Sequence, residues 1–149
     1  MYACDYGSVD VVALLLKNGA DAKTQIDTFS ALMAVCASQC NTEDHLLLCA
    51  KQLLVSGALV NAFDRHQMTP LMYACQHNRV LLAQLLLAHN ADADIKDIRG
   101  WTAFIYAASN GNKTLMKHLI PSSCDQHRDF LRNSASFPIQ QSRYAAFQC

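Results

Sequence analysis

The sequence predicts an all-α solenoid of helix-turn-helix repeats, because related motifs recur along the chain at a nearly constant interval. One position holds an apolar residue at intervals of 32, 39 and 33 residues: Met1, Met33, Met72 and Ile105. A second position recurs at intervals of 38 and 33 residues: Gly19, Gly57 and Asn90. A six-residue insertion around Cys40 to Asp44 and a one-residue deletion before Ser30 reconcile both sets with a period of 33. Such a period is typical of stacked repeats that share one core.

The third repeat shows why each unit should form two helices. Thr69 can cap an inner helix, and Pro70 suits the first helical position, where no amide donor is lost. After a turn at His77 and Asn78, leucines at helical spacing predict an amphipathic outer helix: Leu82, Leu85 and Leu86. Asn90 follows where a left-handed residue ends a helix, as Gly19 and Gly57 do earlier.

The repeats divide the chain into one repeat domain and a tail. The predicted units cover residues 1–29, 30–68, 69–101 and 102–120, with β-turn fingers between them and incomplete units at both ends. Met1 falls inside an inner helix, and Pro121 stops the last outer helix. Residues 121–149 are aperiodic and contain several Ser and Gln residues, so we expect a mostly disordered tail.

Composition excludes several classes of function. The 149 residues are 52% apolar with a formal net charge of zero, and no basic stripe is present to neutralise a nucleic-acid backbone. Apolar stretches are far shorter than the roughly 20 residues of a spanning helix, so no membrane segment is expected. Most of the seven cysteines lie in helical patterns, with Cys4, Cys36 and Cys75 at equivalent positions. This pattern favours reduced, packed thiols in the cytosol.

The segment TPLMYACQHNRVLLAQLLLAHNADADIKDIRGWTA, from Thr69 to Ala103, resembles the ankyrin repeat in motif and length. The resemblance extends over roughly residues 1–120 and implies an all-α ankyrin-repeat solenoid of about four repeats. It also implies a non-enzymatic scaffold that binds other proteins through a concave face made of turn tips and inner helices.

Positions that contact partners in ankyrin arrays can be carried onto this sequence one by one. They include the aromatic, Arg and Met residues that are enriched at interfaces. The predicted partner-binding residues, with the exposed turn residue Phe63 added, are Asp5, Tyr6, Phe63, Arg65, His66, Met68, Gln76, His77, Ile98, Arg99, Trp101, Ser109 and Asn110. Trp101 is the first candidate anchor, although its indole could instead pack against the neighbouring turn. Phe63 could contact a partner or tuck under the insertion.

One cluster invites a metal or enzyme interpretation. Its spacing, C-x3-C-x4-H-x3-C, is similar to a zinc knuckle: Cys36, Cys40, His45 and Cys49. The repeat register instead aligns Cys36 with Cys75 and Cys49 with Leu82, which are core positions. No nucleophile elbow, phosphate loop or carboxylate pair is present, so we predict no catalytic residue, metal or cofactor.

Asn61 occupies a position similar to one that asparaginyl hydroxylases modify in some ankyrin repeats. The alternative is a turn asparagine whose amide satisfies backbone groups.

The second repeat carries a more specific resemblance. VCASQCNTEDHLLLCAKQLLVSGALVN, followed by MTPLMYA, is similar to the family of germ-cell proteins with ankyrin repeats, a SAM domain and a basic leucine zipper (GASZ). That resemblance implies a cytoplasmic scaffold of piRNA biogenesis and transposon silencing, in germ granules (nuage) at the outer mitochondrial surface. Its partners would be piRNA-pathway proteins. The alternative is a generic cytosolic ankyrin adaptor for ubiquitin-ligase or signalling assemblies.

Overall fold

The computed structural model of the chain describes residues 2–5, 7–39 and 43–119. Its helices come in inner and outer pairs: α1 Tyr2–Asp5 and α2 Val9–Lys17, α3 Ala31–Ala37 and α4 Glu43–Val55, α5 Pro70–Gln76 and α6 Val80–Ala88, α7 Ala103–Ser109 and α8 Lys113–Leu119. Each pair falls within one predicted repeat, although the exact boundaries stay a prediction. The predicted tail, residues 121–149, lies outside the described residues.

The stacking confirms the predicted all-α solenoid. Inner helices pack on inner helices from α1 through α3 and α5 to α7, and outer helices pack in the same order from α2 to α8. The strands of the described part form one short antiparallel pair, β1 Gln25–Ile26 and β2 Phe29–Ser30, between the first and second helix pairs. This β-pair occupies the place of a predicted β-turn finger.

The inner helices begin where the cap residues predict. The Thr69 hydroxyl accepts a hydrogen bond of 3.3 Å from the Met72 amide, and Pro70 is the first residue of α5. Ser30 does the same for α3, accepting from the Met33 amide at 3.2 Å. Both caps satisfy amides that the helix itself leaves without a partner.

The outer helices end at left-handed residues, as the second repeating position predicts. Gly19 and Gly57 both have φ of +87°, and Asn90 has φ of +61°. Glycine adopts this region without a steric penalty, and asparagine is among the few other residues that adopt it readily.

The shared core lies between the inner and outer helices. Cys36, Cys49 and Cys75 are completely buried, and Cys4 is nearly so. Burial raises the pKa of the Cys75 thiol to about 12. The pKa of the Cys36 thiol is raised even more, mainly by burial and secondly by the nearby Cys75. Cys36 and Cys75 are therefore neutral thiols that pack in the core.

Val11 differs from its counterparts in the repeat register. Leu82 and Leu115 are fully buried, whereas Val11 is 47% exposed. This position is buried by the preceding helix pair, and among the described residues no pair lies before α1 and α2.

Candidate protein-binding surface

Three loops join the outer helix of one pair to the inner helix of the next. We name them finger 1 (residues 20–30), finger 2 (58–68) and finger 3 (91–101). Fingers 2 and 3 hold most of the sequence-predicted contact residues. Their conformations follow from one aspartate in each.

In finger 2 the organising residue is Asp64, which is only 7% exposed. Its Oδ1 accepts hydrogen bonds of 2.8 Å from the His66 and Met68 amides, so the carboxylate closes the turn. Its Oδ2 accepts a hydrogen bond of 2.9 Å from the Tyr73 hydroxyl on α5. Burial is the larger cause, and the hydrogen bond to Asp64 the smaller one, of a raised pKa at Tyr73. The finger is thereby fixed to its inner helix.

Finger 3 repeats this arrangement 33 residues later. Asp97 Oδ1 accepts hydrogen bonds of 2.8 Å from the Arg99 and Trp101 amides, and Oδ2 accepts one of 2.7 Å from the Tyr106 hydroxyl. Burial works against the charge of Asp97, but these hydrogen bonds together with the Arg99 guanidinium hold its pKa below the usual range. Burial and then the hydrogen bond to Asp97 raise the pKa of Tyr106 to about 12.

Neighbouring fingers are also joined to each other. The Ile98 amide in finger 3 donates a hydrogen bond of 3.1 Å to the His66 carbonyl in finger 2. The Arg65 guanidinium lies 4.0 Å from the Asp27 carboxylate in finger 1, but both side chains are largely exposed. An ion pair of that kind adds little stability, so the backbone contact is the stronger link.

The Trp101 indole packs within finger 3. Its ring contacts Tyr106 edge-to-face at a centroid separation of 5.3 Å, and the Arg99 guanidinium lies 4.8 Å from the indole centroid. Burial disfavours the charge of Arg99, yet its hydrogen bond to Tyr106 and the Asp97 carboxylate raise its pKa. Trp101 is half-buried against its own finger and α7, and its role as a partner anchor stays a prediction.

Two of the predicted contact residues present large apolar side chains to solvent. Phe63 is 62% exposed and Ile98 is 61% exposed. Ile26, at the equivalent position of finger 1, is 56% exposed, and sequence reasoning missed it. Its distance of four residues from the Ser30 cap, the same as that of Ile98 from Thr102, is the signal that could have identified it.

The inner-helix candidates lie at the ends of α5 and α7. Gln76 and His77 are exposed, and burial of part of the ring together with Arg79 lowers the pKa of His77. The Asn110 amide donates to the Cys75 and Gln76 carbonyls at 2.9 and 2.7 Å, and so joins α7 to the end of α5. The Ser109 hydroxyl donates to the Tyr106 carbonyl at 2.8 Å. The side chains of Ser109 and Asn110 are therefore held by hydrogen bonds within the repeats.

Met68 is a correction to the predicted contact set. Its side chain is 7% exposed, and its Sδ lies 3.8 Å from the Tyr106 hydroxyl. The methionine fills the space beneath fingers 2 and 3, which a periodic pattern cannot distinguish from an exposed turn position. Tyr6 lies outside the described residues, and Asp5 is the last residue of α1.

Asn61 joins successive repeats. Its Oδ1 accepts a hydrogen bond of 2.9 Å from the Asp92 amide, and its Nδ2 donates one of 3.4 Å to the Asn90 carbonyl. The amide therefore satisfies backbone groups, but in the following repeat rather than in its own turn.

The residues whose spacing is similar to a zinc knuckle are not assembled into a site in the described part of the chain. Cys36 and Cys49 are buried in the core, and Cys40 lies outside the described residues. Within the described ranges, no group of three or more His, Cys, Asp or Glu side chains could hold a metal ion. No described helix is both long enough and apolar enough to cross a membrane.

Comparison with known proteins identifies the repeats. A family model described as ankyrin repeats, in three copies, matches residues 1–97. The Ornithorhynchus anatinus "Ankyrin repeat, SAM and basic leucine zipper domain-containing protein 1" is 39% identical over 89 residues, or 60% of this chain and 19% of that protein. The Caenorhabditis elegans "Ankyrin repeat and LEM domain-containing protein 1 homolog" is 45% identical over 83 residues, or 56% of this chain and 12% of that protein. The Neurospora crassa "Ankyrin repeat protein nuc-2" is 35% identical over 121 residues, or 80% of this chain and 11% of that protein.

The aligned part of this chain spans less than a fifth of each of these relatives' length. The family match nevertheless covers well over half of the 149 residues. The Asp97–Tyr106 contact extends the pattern of finger 2 beyond the matched range. This chain belongs to the ankyrin-repeat family, whose domains mediate protein–protein interaction.

Proposed function

We propose that the chain is a non-enzymatic scaffold of the germ-cell piRNA and transposon-silencing machinery, and that fingers 2 and 3 bind its protein partner. The observation that carries the binding surface is the exposure of Phe63 and Ile98 on fingers that buried aspartates hold in place. Large apolar side chains that are exposed on a rigid surface lose water when a partner covers them.

Preorganisation of the fingers favours binding. Asp64 and Asp97 each join a turn to an inner helix, and the Ile98 amide joins the two turns. A partner therefore does not have to order these loops, and the entropic cost of association is lower. Trp101 and Arg99 support the surface from within finger 3, and the Arg99 side chain is also 56% exposed.

The germ-cell assignment is supported by the second repeat. Its lengthened segment before and within α4 resembles the family with ankyrin repeats, a SAM domain and a basic leucine zipper. Relatives that carry this domain name include the proteins of Ornithorhynchus anatinus and Dasypus novemcinctus, the latter 33% identical over 92 residues. We accordingly propose cytoplasmic germ granules at the outer mitochondrial surface as the location.

The experiment is proximity labelling in germ cells with the chain fused to a biotin ligase. The fusion is compared with a Phe63→Ala, Ile98→Ala double variant and with a Leu81→Ala control on outer helix α6. Leu81 is 40% exposed and lies away from the fingers, so it controls for loss of an apolar surface residue. We expect labelled piRNA-processing and mitochondrial-surface proteins that fall at least several-fold in the double variant and persist in the control.

Two results would contradict this proposal at different levels. Equal labelling by the Phe63→Ala, Ile98→Ala double variant and the Leu81→Ala control would exclude the fingers as the binding surface. Labelling of ubiquitin-ligase or signalling proteins in place of piRNA factors would favour a generic cytosolic ankyrin adaptor. The Caenorhabditis elegans relative, whose name includes a LEM domain, keeps this second candidate open, because similar ankyrin repeats also occur in a protein of other domain composition.

A further inference from the structure

The three fingers lie side by side and are offset in the same way from one to the next. The Arg65 guanidinium on finger 2 lies 4.0 Å from the Asp27 carboxylate on finger 1. The Ile98 amide on finger 3 donates to the His66 carbonyl on finger 2 at 3.1 Å. In both contacts a residue four positions before an inner-helix N-cap meets a residue three positions before the preceding one. Equivalent side chains of successive fingers therefore form rows across this surface.

One of these rows alternates between apolar and basic side chains. It consists of the residues four positions before each N-cap, which we call the finger row: Ile26, Arg65 and Ile98. Both isoleucines are exposed by more than half, and the Arg65 side chain is 66% exposed. A partner that covers both isoleucines must also cover the arginine between them.

The exposed charge beside the finger row is positive on fingers 2 and 3. Within residues 63–67 and 96–100, the acidic side chains are buried and accept hydrogen bonds from the turns and the inner helices: Asp64 and Asp97. The basic side chains of the same segments are exposed: Arg65, Lys96 and Arg99. At the surface of these two segments, a partner therefore meets charged side chains of one sign.

Arg65 needs a counter-charge when a partner buries it. A guanidinium that loses its water without gaining an acceptor is strongly disfavoured. Its contact with Asp27 joins two largely exposed side chains at 4.0 Å, and a pair of that kind stabilises little. A carboxylate that the partner places at hydrogen-bond distance from the guanidinium compensates for the lost water.

We propose that the partner segment is an acidic peptide that binds across the finger row, with a carboxylate on Arg65 and an apolar side chain on each isoleucine. This inference rests on the proposed use of fingers 2 and 3 as the binding surface, and it adds the chemistry of the occupant. Lys96 and Arg99 attract further acidic residues of the same segment. A nucleic acid fits less well, because both ends of the row are aliphatic and offer no ring on which a base can stack.

The first test is a phage-display selection of random peptides on the whole purified chain. We expect the enriched peptides to carry Asp or Glu between apolar residues. Fluorescence anisotropy with one fluorescein-labelled enriched peptide then compares variants. Arg65→Glu should weaken binding at least about fivefold, because it places like charges together. Lys117→Glu, a charge reversal at an exposed position of α8, is the matched control and should bind as the unchanged chain does.

Two further measurements test the ion pair itself. Asp27→Asn removes the acid that competes for Arg65, and Asp27 has φ of +52°, a conformation that asparagine adopts readily. The finger should therefore keep its shape, and the acidic peptide should bind about two- to fivefold more tightly. A peptide with Lys in place of the acid should bind Arg65→Glu more tightly than it binds the unchanged chain.

Several results would overturn the proposal. Enriched peptides that lack acidic residues, or no enrichment over the bare support, would exclude an acidic partner. A single-stranded RNA probe that binds more tightly than any selected peptide, and is lost in Arg65→Glu, would assign the finger row to a nucleic acid.

The same variants separate this inference from the proposed function. Equal affinity of Arg65→Glu and Lys117→Glu would exclude the ion pair, while loss of binding in the Phe63→Ala, Ile98→Ala variant would still support the fingers as the surface. Acidic peptides that bind all of these variants equally would place the site outside the fingers and contradict both proposals.

Discussion

The Tyr106 hydroxyl donates a hydrogen bond of 2.7 Å to the carboxylate of Asp97, which lies nine residues earlier in the chain. Tyr73 and Asp64 make the same contact one repeat earlier, at 2.9 Å. In each case the other carboxylate oxygen holds the turn of a finger. One buried aspartate therefore couples the shape of each finger to the position of its inner helix.

Tyr106→Phe should lower the free energy of unfolding by about 1.5–3 kcal/mol, the usual range for a hydrogen bond to a charged group. The loss is substantial because the Asp97 side chain is only 1% exposed and would be left with fewer donors. Urea denaturation followed by circular dichroism measures the change. Asp94→Asn, an exposed aspartate in the same finger, is the control and should change stability by less than about 0.5 kcal/mol. Equal stability of Tyr106→Phe and the unchanged chain would contradict the coupling.

Acid should destabilise the chain partly through Asp97. Its folded pKa lies below the ordinary value of 3.8, so its contribution is complete above that value and is lost as pH falls through the folded pKa. The unchanged chain should therefore lose more stability than Asp97→Asn does between about pH 5 and pH 2. Urea midpoints across this range measure the difference. Parallel curves for the two proteins would show that Asp97 is not the responsible group.

Two leucines on outer helices should respond very differently to truncation. Leu82 is completely buried, so Leu82→Ala should cost about 2–5 kcal/mol through lost burial and a cavity. Leu14 is 60% exposed, so Leu14→Ala should cost less than about 0.5 kcal/mol. Urea denaturation followed by circular dichroism measures both losses of stability. Similar losses in the two variants would contradict the assignment of Leu14 to the surface.

Four of the seven cysteines should resist modification in the folded chain: Cys4, Cys36, Cys49 and Cys75. Burial disfavours the reactive thiolate, as the raised pKa values of Cys36 and Cys75 indicate. Iodoacetamide labelling followed by peptide mass spectrometry should leave these four unlabelled until urea is added. Rapid native labelling of any one would show that its helix pair opens readily.

Sequence reasoning predicted the solenoid well because its signals are local. The Thr69 cap, Pro70 and the left-handed residues Gly19 and Asn90 each meet a backbone requirement that depends on few neighbours. The Asp64–Tyr73 and Asp97–Tyr106 pairs were also present in the sequence at a constant spacing of nine residues, but they were not recognised. Their importance is visible only when the carboxylate is seen to contact both the turn and the helix.

The sequence by itself determined the period of the repeats, the helix starts and stops and the composition of the fingers. The tertiary structure decided which side chains face solvent. Met68 is buried and Trp101 is half-buried, whereas Ile26 and Ile98 are exposed. Periodicity assigns a residue to a turn or a helix, but exposure depends on what the neighbouring finger or helix pair covers. For the same reason Val11 is exposed and Leu82 is buried at one repeat position, because among the described residues a preceding helix pair covers Leu82 and none covers Val11.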